Sequence, residues 1–204
     1  MALMNPTQNH LINTATQLFL GRGYGAVGTA ELCRAAGVNK GTFYHFFGSK
    51  AALLAAAIAR YADDLGAEFE TIACSNLRPS EKLVALFGVP ERANQAWKEN
   101  HGVAQGCLVG NMTLELGSEE PEVRAATLAA LANWKTAIKP ILAACREEQE
   151  AKIPLSSAQI DADADRIMSL LQGGLLLAKA YDAPEHIGAM APVALAMMTA
   201  PAAI

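Results

Sequence analysis

Cysteines and histidines are few in this sequence and lie far apart. Four of each occur among the 204 residues, and no two form a C-x-x-C pair or a mixed cluster with metal-ligand spacing. We therefore expect no metal site, no cofactor and no disulfide framework, and we expect reduced thiols in a cytoplasm. The signatures of serine hydrolases, zinc proteases and nucleotide-binding loops are also absent, so the sequence does not predict an enzyme.

Secretion signals, membrane spans and strand patterns are missing as well. The N-terminus has no charged segment followed by an apolar run, so no signal peptide is predicted. The tail 187–204 carries no charge, but Pro192 and Pro201 interrupt it, which makes it a poor membrane span. No stretch alternates as a strand would, and apolar residues make up 52% of the chain. We therefore predict an all-α protein.

Charge is distributed unevenly along the chain. Residues 1–60 contain five basic side chains and one acidic one, a balance of 5 − 1 = +4, so the other residues carry −8 to reach the overall −4. An acidic protein with a basic end is typical of a nucleic-acid-binding end joined to a body with another task.

Residues 21–50 contain two short helical patterns separated by little more than Gly37. The first pattern, 29–36, and the second, 39–47, each repeat apolar residues at helical spacing. Helices joined by so tight a turn cross steeply, which is the helix-turn-helix geometry. The exposed positions of the second helix are cationic, hydroxyl-bearing or aromatic, and none is acidic: Lys40, Thr42, Tyr44 and His45. Such a surface suits a polyanion.

The same stretch resembles the head of the tetracycline-repressor (TetR) family. The resemblance is carried by Gly23-Tyr24 and by the run AGVNKGTFYHFFGSK at residues 36–50. Many positions match at fixed spacing, which is more specific than a lone glycine motif. The close match ends at Lys50, and beyond it the resemblance is mainly architectural.

This resemblance implies both an organisation and a function. A three-helix helix-turn-helix DNA-binding domain, called the head below, would occupy residues 1–48. A larger helical domain for effector binding and dimerisation would occupy residues 49–204 and begin with a connector helix at 49–70. We expect a repressor that binds a palindromic operator in double-stranded DNA as a homodimer and is released by a small, mainly apolar or electrophilic effector. The alternatives are a transcriptional activator, or a protein-interaction adaptor that keeps the fold without binding DNA.

The resemblance also implies which residues contact DNA. The matching positions are Gly28, Thr29, Lys40, Gly41, Thr42, Tyr44, His45 and Lys50. The sequence departs from the family at Val27-Gly28, where a Ser or Thr pair is common, and at Ala30, where a basic residue is frequent. Either Thr29 caps the helix one residue late, or Gly28 offers its backbone N–H to a phosphate. We expect fewer phosphate contacts than usual and a shallower dependence of binding on salt.

The remaining helical patterns predict a body with a pocket and a dimer interface. Helices are expected at 80–100, 107–116, 121–150 and 161–181. Pro90 should kink or break the first of these, and Pro140 should bend the third. The predicted pocket is lined by residues that would also fit plain core packing: Phe87, Trp97, His101, Cys107, Asn111, Met112, Glu115, Trp134, Ile138 and Leu171. The last two helices are the candidates for a four-helix dimer interface through Leu131, Leu170, Gly173, Gly174, Leu175 and Ala178. A contact within one chain would explain the paired glycines nearly as well.

Cys107 carries a separate hypothesis. The segment Gly106-Cys107-Leu108-Val109-Gly110-Asn111 resembles a G-C-x-x-G-N helix start in one branch of the family. Some members of that branch respond to electrophiles or oxidants through cysteine. A helix N-terminus stabilises a thiolate, which raises its reactivity at neutral pH. Cys107 is therefore either a reactive sensor or a small buried residue that packs under the helix.

Overall fold

A computed structural model describes residues 5–117, 119–149 and 156–199. Every regular element in these ranges is a helix, which confirms the all-α prediction. The helices are α1 (Pro6–Arg22), α2 (Thr29–Ala35), α3 (Lys40–Phe46), α4 (Lys50–Cys74), α5 (Pro79–His101), α6 (Leu108–Leu116), α7 (Pro121–Gln149), α8 (Ser157–Tyr181), α9 (Glu185–Gly188) and α10 (Ala191–Thr199). None of these helices is both long and apolar enough to cross a bilayer.

The chain divides into two compact units. The first combines Met1–Asp63 with Cys107–Leu131, and the second combines Asp64–Gly106 with Ala132–Ile204. The division falls inside α4 and inside α7. The first unit therefore contains α1, α2 and α3 together with α6, whereas the second contains α5, α8, α9 and α10.

Helix α1 begins where the sequence predicts, at an asparagine followed by a proline. The Asn5 side chain accepts a hydrogen bond from the backbone N–H of Thr7 at 2.9 Å. Pro6 fits the first turn because its missing N–H has no partner to lose there. The inward face is fully apolar and consists of Leu11, Ile12, Ala15, Phe19 and Leu20. Gly23 ends the helix at φ 80°, a conformation that glycine adopts without strain.

The turn between α2 and α3 is built on Gly37, which has φ 63°. The N–H of Val38 donates to the carbonyl of Cys33 at 2.9 Å, and the N–H of Gly37 donates to the carbonyl of Arg34 at 3.2 Å. These two bonds form a Schellman motif, which ends α2 in a left-handed residue and redirects the chain into α3. This is the tight glycine turn that the sequence predicts.

Aromatic side chains fill the core behind this turn. Phe43 and Phe47 are buried, as predicted, and their ring centroids lie 6.3 Å apart. Val27, which stands at a position where the family commonly has a hydroxyl, is buried as well. Burying one such side chain stabilises the fold by roughly 1.5–3 kcal/mol. The departure at Val27 thus contributes to the core of the head.

In the second unit, α9 packs against both α5 and α8. A Cβ added to Gly174 would lie 3.1 Å from the Cα of Ile187 and 3.2 Å from the carbonyl oxygen of His186, so the two backbones touch. Leu175 and Ala178 are also buried inside their own protomer. The close helix approach predicted from the paired glycines is therefore, at Gly174, a contact within one chain.

Two predicted features of the long helices need correction. Helix α5 runs through Pro90, so the alternative of a break there is wrong. Helix α7 also runs through Pro140, where the expected bend stays a prediction. Helix α8 begins at Ser157 rather than at 161. The reason is a capping box: the Ser156 hydroxyl accepts from the backbone N–H of Gln159 at 3.3 Å, and the side-chain amide oxygen of Gln159 accepts from the backbone N–H of Ser156 at 2.9 Å.

A buried ion pair joins α7, α8 and α10. The Arg146 guanidinium donates to both oxygens of Asp163, at 2.9 and 3.1 Å, and to the Met198 carbonyl at 3.3 Å. Arg166 donates to the same carboxylate at 2.9 Å. Arg146 and Asp163 are only 3% and 2% exposed. Each charge compensates the other inside the core, and the Arg146 side chain links these three helices through its hydrogen bonds.

Candidate DNA-binding surface

Helix α3 turns its apolar side chains inward and its polar ones to solvent. Lys40, Gly41, Tyr44 and His45 are exposed, with Tyr44 at 55%. No acid of the described residues forms an ion pair with Lys40. The outer face of α3 therefore offers one cation, an aromatic hydroxyl and an imidazole, without a neighbouring carboxylate to compete for them.

Asn39 fixes the start of this helix. Its Oδ1 accepts hydrogen bonds from the backbone N–H of Thr42 at 2.8 Å and from the Thr42 hydroxyl at 3.2 Å. A Cβ added to Gly41 would lie 3.2 Å from the same oxygen, so glycine leaves the cap undisturbed. Sequence reasoning missed this role of Asn39, although an Asn just before a helical pattern is a recognised start signal.

Helix α2 has no side-chain cap. Gly28 stands at its N-cap with φ −89° and ψ 156°, and Thr29 is the first helical residue. The alternative in which Thr29 caps the helix is therefore wrong. A Cβ added to Gly28 would meet nothing within 4 Å, so the backbone here is open to the outside.

Lys50 is held by the loop between α1 and α2. Its Nζ donates to the carbonyls of Tyr24 and Val27, each at 3.0 Å, and lies 3.7 Å from the centre of the Tyr24 ring. Burial lowers the pKa of Lys50, while the charges of Glu115 and Glu120 act to raise it. Two of the three N–H donors of this ammonium are thus bonded to backbone, which leaves one for the predicted contact with DNA.

Glu115, in the last turn of α6, holds the same loop through its backbone N–H groups. Its carboxylate accepts hydrogen bonds from the backbone N–H groups of Tyr24, at 3.0 Å, and Gly25, at 2.7 Å. The residue is exposed. Both bonded partners of Glu115 therefore lie in the head, whereas the prediction placed this side chain in the effector pocket.

Cys107 lies at the other end of α6. It is the N-cap residue of that helix and is only 3% exposed. The pKa of Tyr61 lies well above its ordinary value. Burial is the largest cause, and the charge of Cys107 and a hydrogen bond with that residue raise the pKa further. A hydrogen bond with the Leu108 backbone acts to lower it. The phenol of Tyr61 thus stays protonated and shares a hydrogen bond with the Cys107 side chain.

Comparisons with known proteins agree with this geometry. The family model described as "Bacterial regulatory proteins, tetR family" matches residues 11–57, and "Tetracyclin repressor-like, C-terminal domain" matches residues 80–193. The second match alone spans more than half of the chain. The chain belongs to the TetR family.

Curated TetR-family relatives span most of the chain. The HTH-type transcriptional repressor DhaR of Mycobacterium sp. strain GP1 is 29% identical over 175 residues, which are 85% of this chain and 83% of DhaR. The transcriptional regulator AcuR of Cereibacter sphaeroides is 31% identical over 179 residues, 87% of this chain and 78% of AcuR. These relatives act as DNA-binding regulators, which supports a ligand-responsive DNA-binding repressor here.

A solved TetR-family structure shows the same fold. The reduced form of NemR from Escherichia coli superimposes with a TM-score of 0.76 at 25% identity, and the match covers 95% of each chain. Regulators of the TetR family bind DNA and small-molecule effectors and act as dimers.

The other predicted pocket residues divide between the two units. In the second unit, Phe87, Trp134, Ile138 and Leu171 are buried, while Trp97 and His101 stack on each other with ring centroids 3.8 Å apart. In the first unit, Met112 is buried and Asn111 is half-buried. Their part in effector binding stays a prediction. Among the described residues, no group of three or more His, Cys, Asp or Glu side chains is placed to hold a metal ion.

An apolar groove of about 460 Å³ opens along the outer face of α8. Leu170, Gly173 and Leu177 line it together with Met190 and Met197. A Cβ added to Gly173 would meet nothing within 4 Å, in contrast to Gly174. Of the residues predicted to form the dimer interface, Leu170 and Gly173 thus lie on an open surface, while Leu131 is half-buried.

Proposed function

We propose that this TetR-family protein is a cytoplasmic repressor. It binds a palindromic operator as a homodimer and is released by a small, mainly apolar or electrophilic effector. The observation that carries the proposal is the outer face of α3, where Lys40, Tyr44 and His45 are exposed beside a capped helix start and none of the described acids pairs with the lysine. Two such heads, about one helical turn of DNA apart, would match the two halves of an operator.

The residues of this face have different roles in the proposal. Lys40 and Tyr44 supply donors to phosphate oxygens or base edges, and Gly41 permits a close backbone approach. Thr42 shares its hydroxyl with Asn39, so its methyl group is the part that is free to contact a base. His45 and the remaining donor of Lys50 complete the set, and the open backbone at Gly28-Thr29 contributes from α2.

The proposed phosphate contacts are few, because the head uses part of its charge internally. Arg22 forms an ion pair with Glu31 and also donates to the Ala26 carbonyl at 3.3 Å. Lys50 is bonded to two carbonyls of the α1–α2 loop. Binding should therefore release few counterions and depend weakly on salt.

A pair of exposed tyrosines offers a direct test. Binding is measured by fluorescence anisotropy with DNA that flanks the gene for this protein. The wild type should bind tightly, and Tyr44→Ala should bind roughly tenfold more weakly. Tyr181 is 67% exposed in the second unit, so Tyr181→Ala is the control and should bind as the wild type does. A wild type that binds this DNA no better than random DNA would favour the adaptor. Reporter expression that falls on deletion of the gene would identify an activator instead.

The electrophilic alternative for the effector depends on Cys107. Its side chain is buried at the start of α6 and shares a hydrogen bond with Tyr61, so an electrophile would react at a pre-formed site. Methylglyoxal should release the wild type from its operator. Cys107→Ser should abolish this response, whereas Cys74→Ser, at an exposed thiol, should leave it unchanged. An unchanged response to methylglyoxal in Cys107→Ser would exclude this thiol as the site of reaction.

The homodimer part of the proposal is supported by the open face of α8. A second copy of the chain that covers Leu170, Gly173 and Leu177 would bury this apolar groove. Leu170→Glu should therefore convert the protein to a monomer in analytical ultracentrifugation and weaken operator binding. A dimer that persists in this variant would place the interface elsewhere.

A further inference from the structure

The loop that joins α1 to α2 is held by two charged side chains. The Glu115 carboxylate accepts from the N–H groups of Tyr24 and Gly25 at 3.0 and 2.7 Å. The Lys50 ammonium donates to the carbonyls of Tyr24 and Val27, each at 3.0 Å. We call residues 23–27 the clamped loop. It leads directly into Gly28 and the start of α2.

The clamped loop is shaped to receive a carboxylate. A Cβ on Gly23 would lie 3.0 Å from one Glu115 oxygen, and a Cβ on Gly25 would lie 3.3 Å from the other. Gly23 also has φ 80°, which only glycine adopts readily. Two consecutive N–H groups can each be bonded by a separate oxygen of one carboxylate, and such charge-assisted bonds are about twice as strong as neutral ones. A glutamine would offer a single oxygen.

We propose that Glu115 is a positioning residue for DNA binding. By fixing the backbone of Tyr24 and Gly25, it sets where α2 begins, and α2 carries the Gly37 turn that places α3. The carboxylate itself touches no DNA. The role rests on the DNA-binding function of the family and adds to it a residue outside the helix-turn-helix segment.

The direction in which Glu115→Gln changes operator affinity distinguishes this role from a simple charge effect. An exposed acid that only repels DNA would, when neutralised, allow tighter binding to any duplex. A positioning residue would instead cause loss of operator binding when it is neutralised. Glu119 is the matched control, since it is an exposed acid on the connection between α6 and α7. Glu119→Gln makes the same charge change.

The experiment compares the full-length wild type with Glu115→Gln and Glu119→Gln. The operator is the duplex that the wild type selects from a random pool, and the reference is a random duplex of equal length. Glu115→Gln should bind the operator about tenfold more weakly, with random-duplex binding unchanged or tighter. Hydrogen exchange of the Tyr24 and Gly25 amides should accelerate in this variant. Glu119→Gln should bind both duplexes as well as the wild type or more tightly.

Two further outcomes make the test decisive. If Glu115→Gln binds the operator as well as the wild type, or the two amides exchange at an unchanged rate, the role is overturned while the regulator function stands. If the wild type selects no sequence from the pool, both are overturned. Glu115→Asp keeps the charge but shortens the side chain by one methylene, so this variant should also bind the operator more weakly. A circular dichroism spectrum like that of the wild type would show that the weaker binding does not come from a loss of fold.

Discussion

The head and the second unit use their charged side chains in different ways. In the second unit, cations pair with acids on neighbouring helices, as Lys135 does with Asp165 at 2.6 Å and Arg146 with Asp163 at 2.9 Å. In the head, Lys40 faces solvent and pairs with no acid in the described part of the chain, while Lys50 is bonded to backbone carbonyls. Charge therefore holds helices together in one region and is kept available for a polyanion in the other.

The comparison also shows why a charge count overstates a binding surface. The first 60 residues carry a net charge of +4, yet Arg22 is paired with Glu31 and Lys50 is turned into its own loop. The cations on the outer face of the helix-turn-helix segment are Lys40 on α3 and Arg34 on α2. A local patch, rather than the sum over a segment, determines how many phosphates can be neutralised.

The largest predicted effect is in the second unit. Arg146→Ala removes the principal partner of the buried Asp163 carboxylate, which leaves that charge in the core with Arg166 alone. We expect a loss of about 3–5 kcal/mol in the free energy of unfolding, measured by urea denaturation. Lys135→Ala, which breaks a partly exposed pair, should cost less than about 1 kcal/mol. Equal losses in the two variants would contradict the contrast between buried and exposed pairs.

The second largest predicted effect is in the head and concerns the backbone conformation at Gly37 rather than a charge. Gly37→Ala forces a side chain into φ 63° without a steric clash, because nothing lies within 4 Å of the added Cβ. We expect a loss of roughly 1–2 kcal/mol in the free energy of unfolding. Gly48→Ala, at an equally open position without a positive φ, should change it by less than about 0.5 kcal/mol. A similar cost at both positions would exclude strain as the cause.

A third prediction concerns the exposed cation of the head. Lys40→Ala should reduce the slope of log affinity against log salt by about one unit, since one phosphate contact is lost. Arg92→Ala removes an exposed charge from the second unit and should leave the slope unchanged. Affinities measured by anisotropy over a salt series check both. A slope that stays the same in Lys40→Ala would mean that this side chain contacts no phosphate.

The smallest predicted effect is a dependence of stability on pH that comes from Asp182. A hydrogen bond from the Ala104 N–H, at 2.7 Å, and then Lys98 lower the pKa of Asp182 below its usual value. A lowered carboxyl pKa contributes stability above the unfolded pKa, and this contribution is lost as the pH falls through the folded pKa. Asp182→Asn should therefore melt below the wild type at neutral pH, and the two melting temperatures should converge towards pH 3. A constant difference would exclude this linkage.

Local patterns in the sequence predicted the head well. Asn5-Pro6, the Gly37 turn and the buried Phe43 and Phe47 all follow from spacing within a few residues. What the sequence could not show were partners far apart in the chain. Glu115 reaches back to Tyr24 across 91 positions, and nothing in the composition of α6 distinguishes that carboxylate from the other acids on exposed helical surfaces.

The second unit was harder to predict for the same physical reason. Paired glycines indicate a close helix contact but do not say with which helix, and Gly174 contacts α9 while Gly173 stays open. The Arg146–Asp163 pair combines two common residue types 17 positions apart, so only the packed helices reveal it. Cys107 was singled out by a motif, whereas its partner Tyr61 was not, since a tyrosine on an apolar helix face fits ordinary packing.

Helix α6 has a residue with a proposed role at each end, and these two roles together would limit how the length of the helix can change during evolution. It has nine residues, Leu108–Leu116, with Cys107 before its first turn and Glu115 in its last. Insertion of one residue would rotate Glu115 by about 100° around the helix axis and move it by about 1.5 Å along it. The carboxylate would then point away from Tyr24 and Gly25. Homologues that keep both end groups should therefore conserve the spacing between them, even where the sequence between them varies.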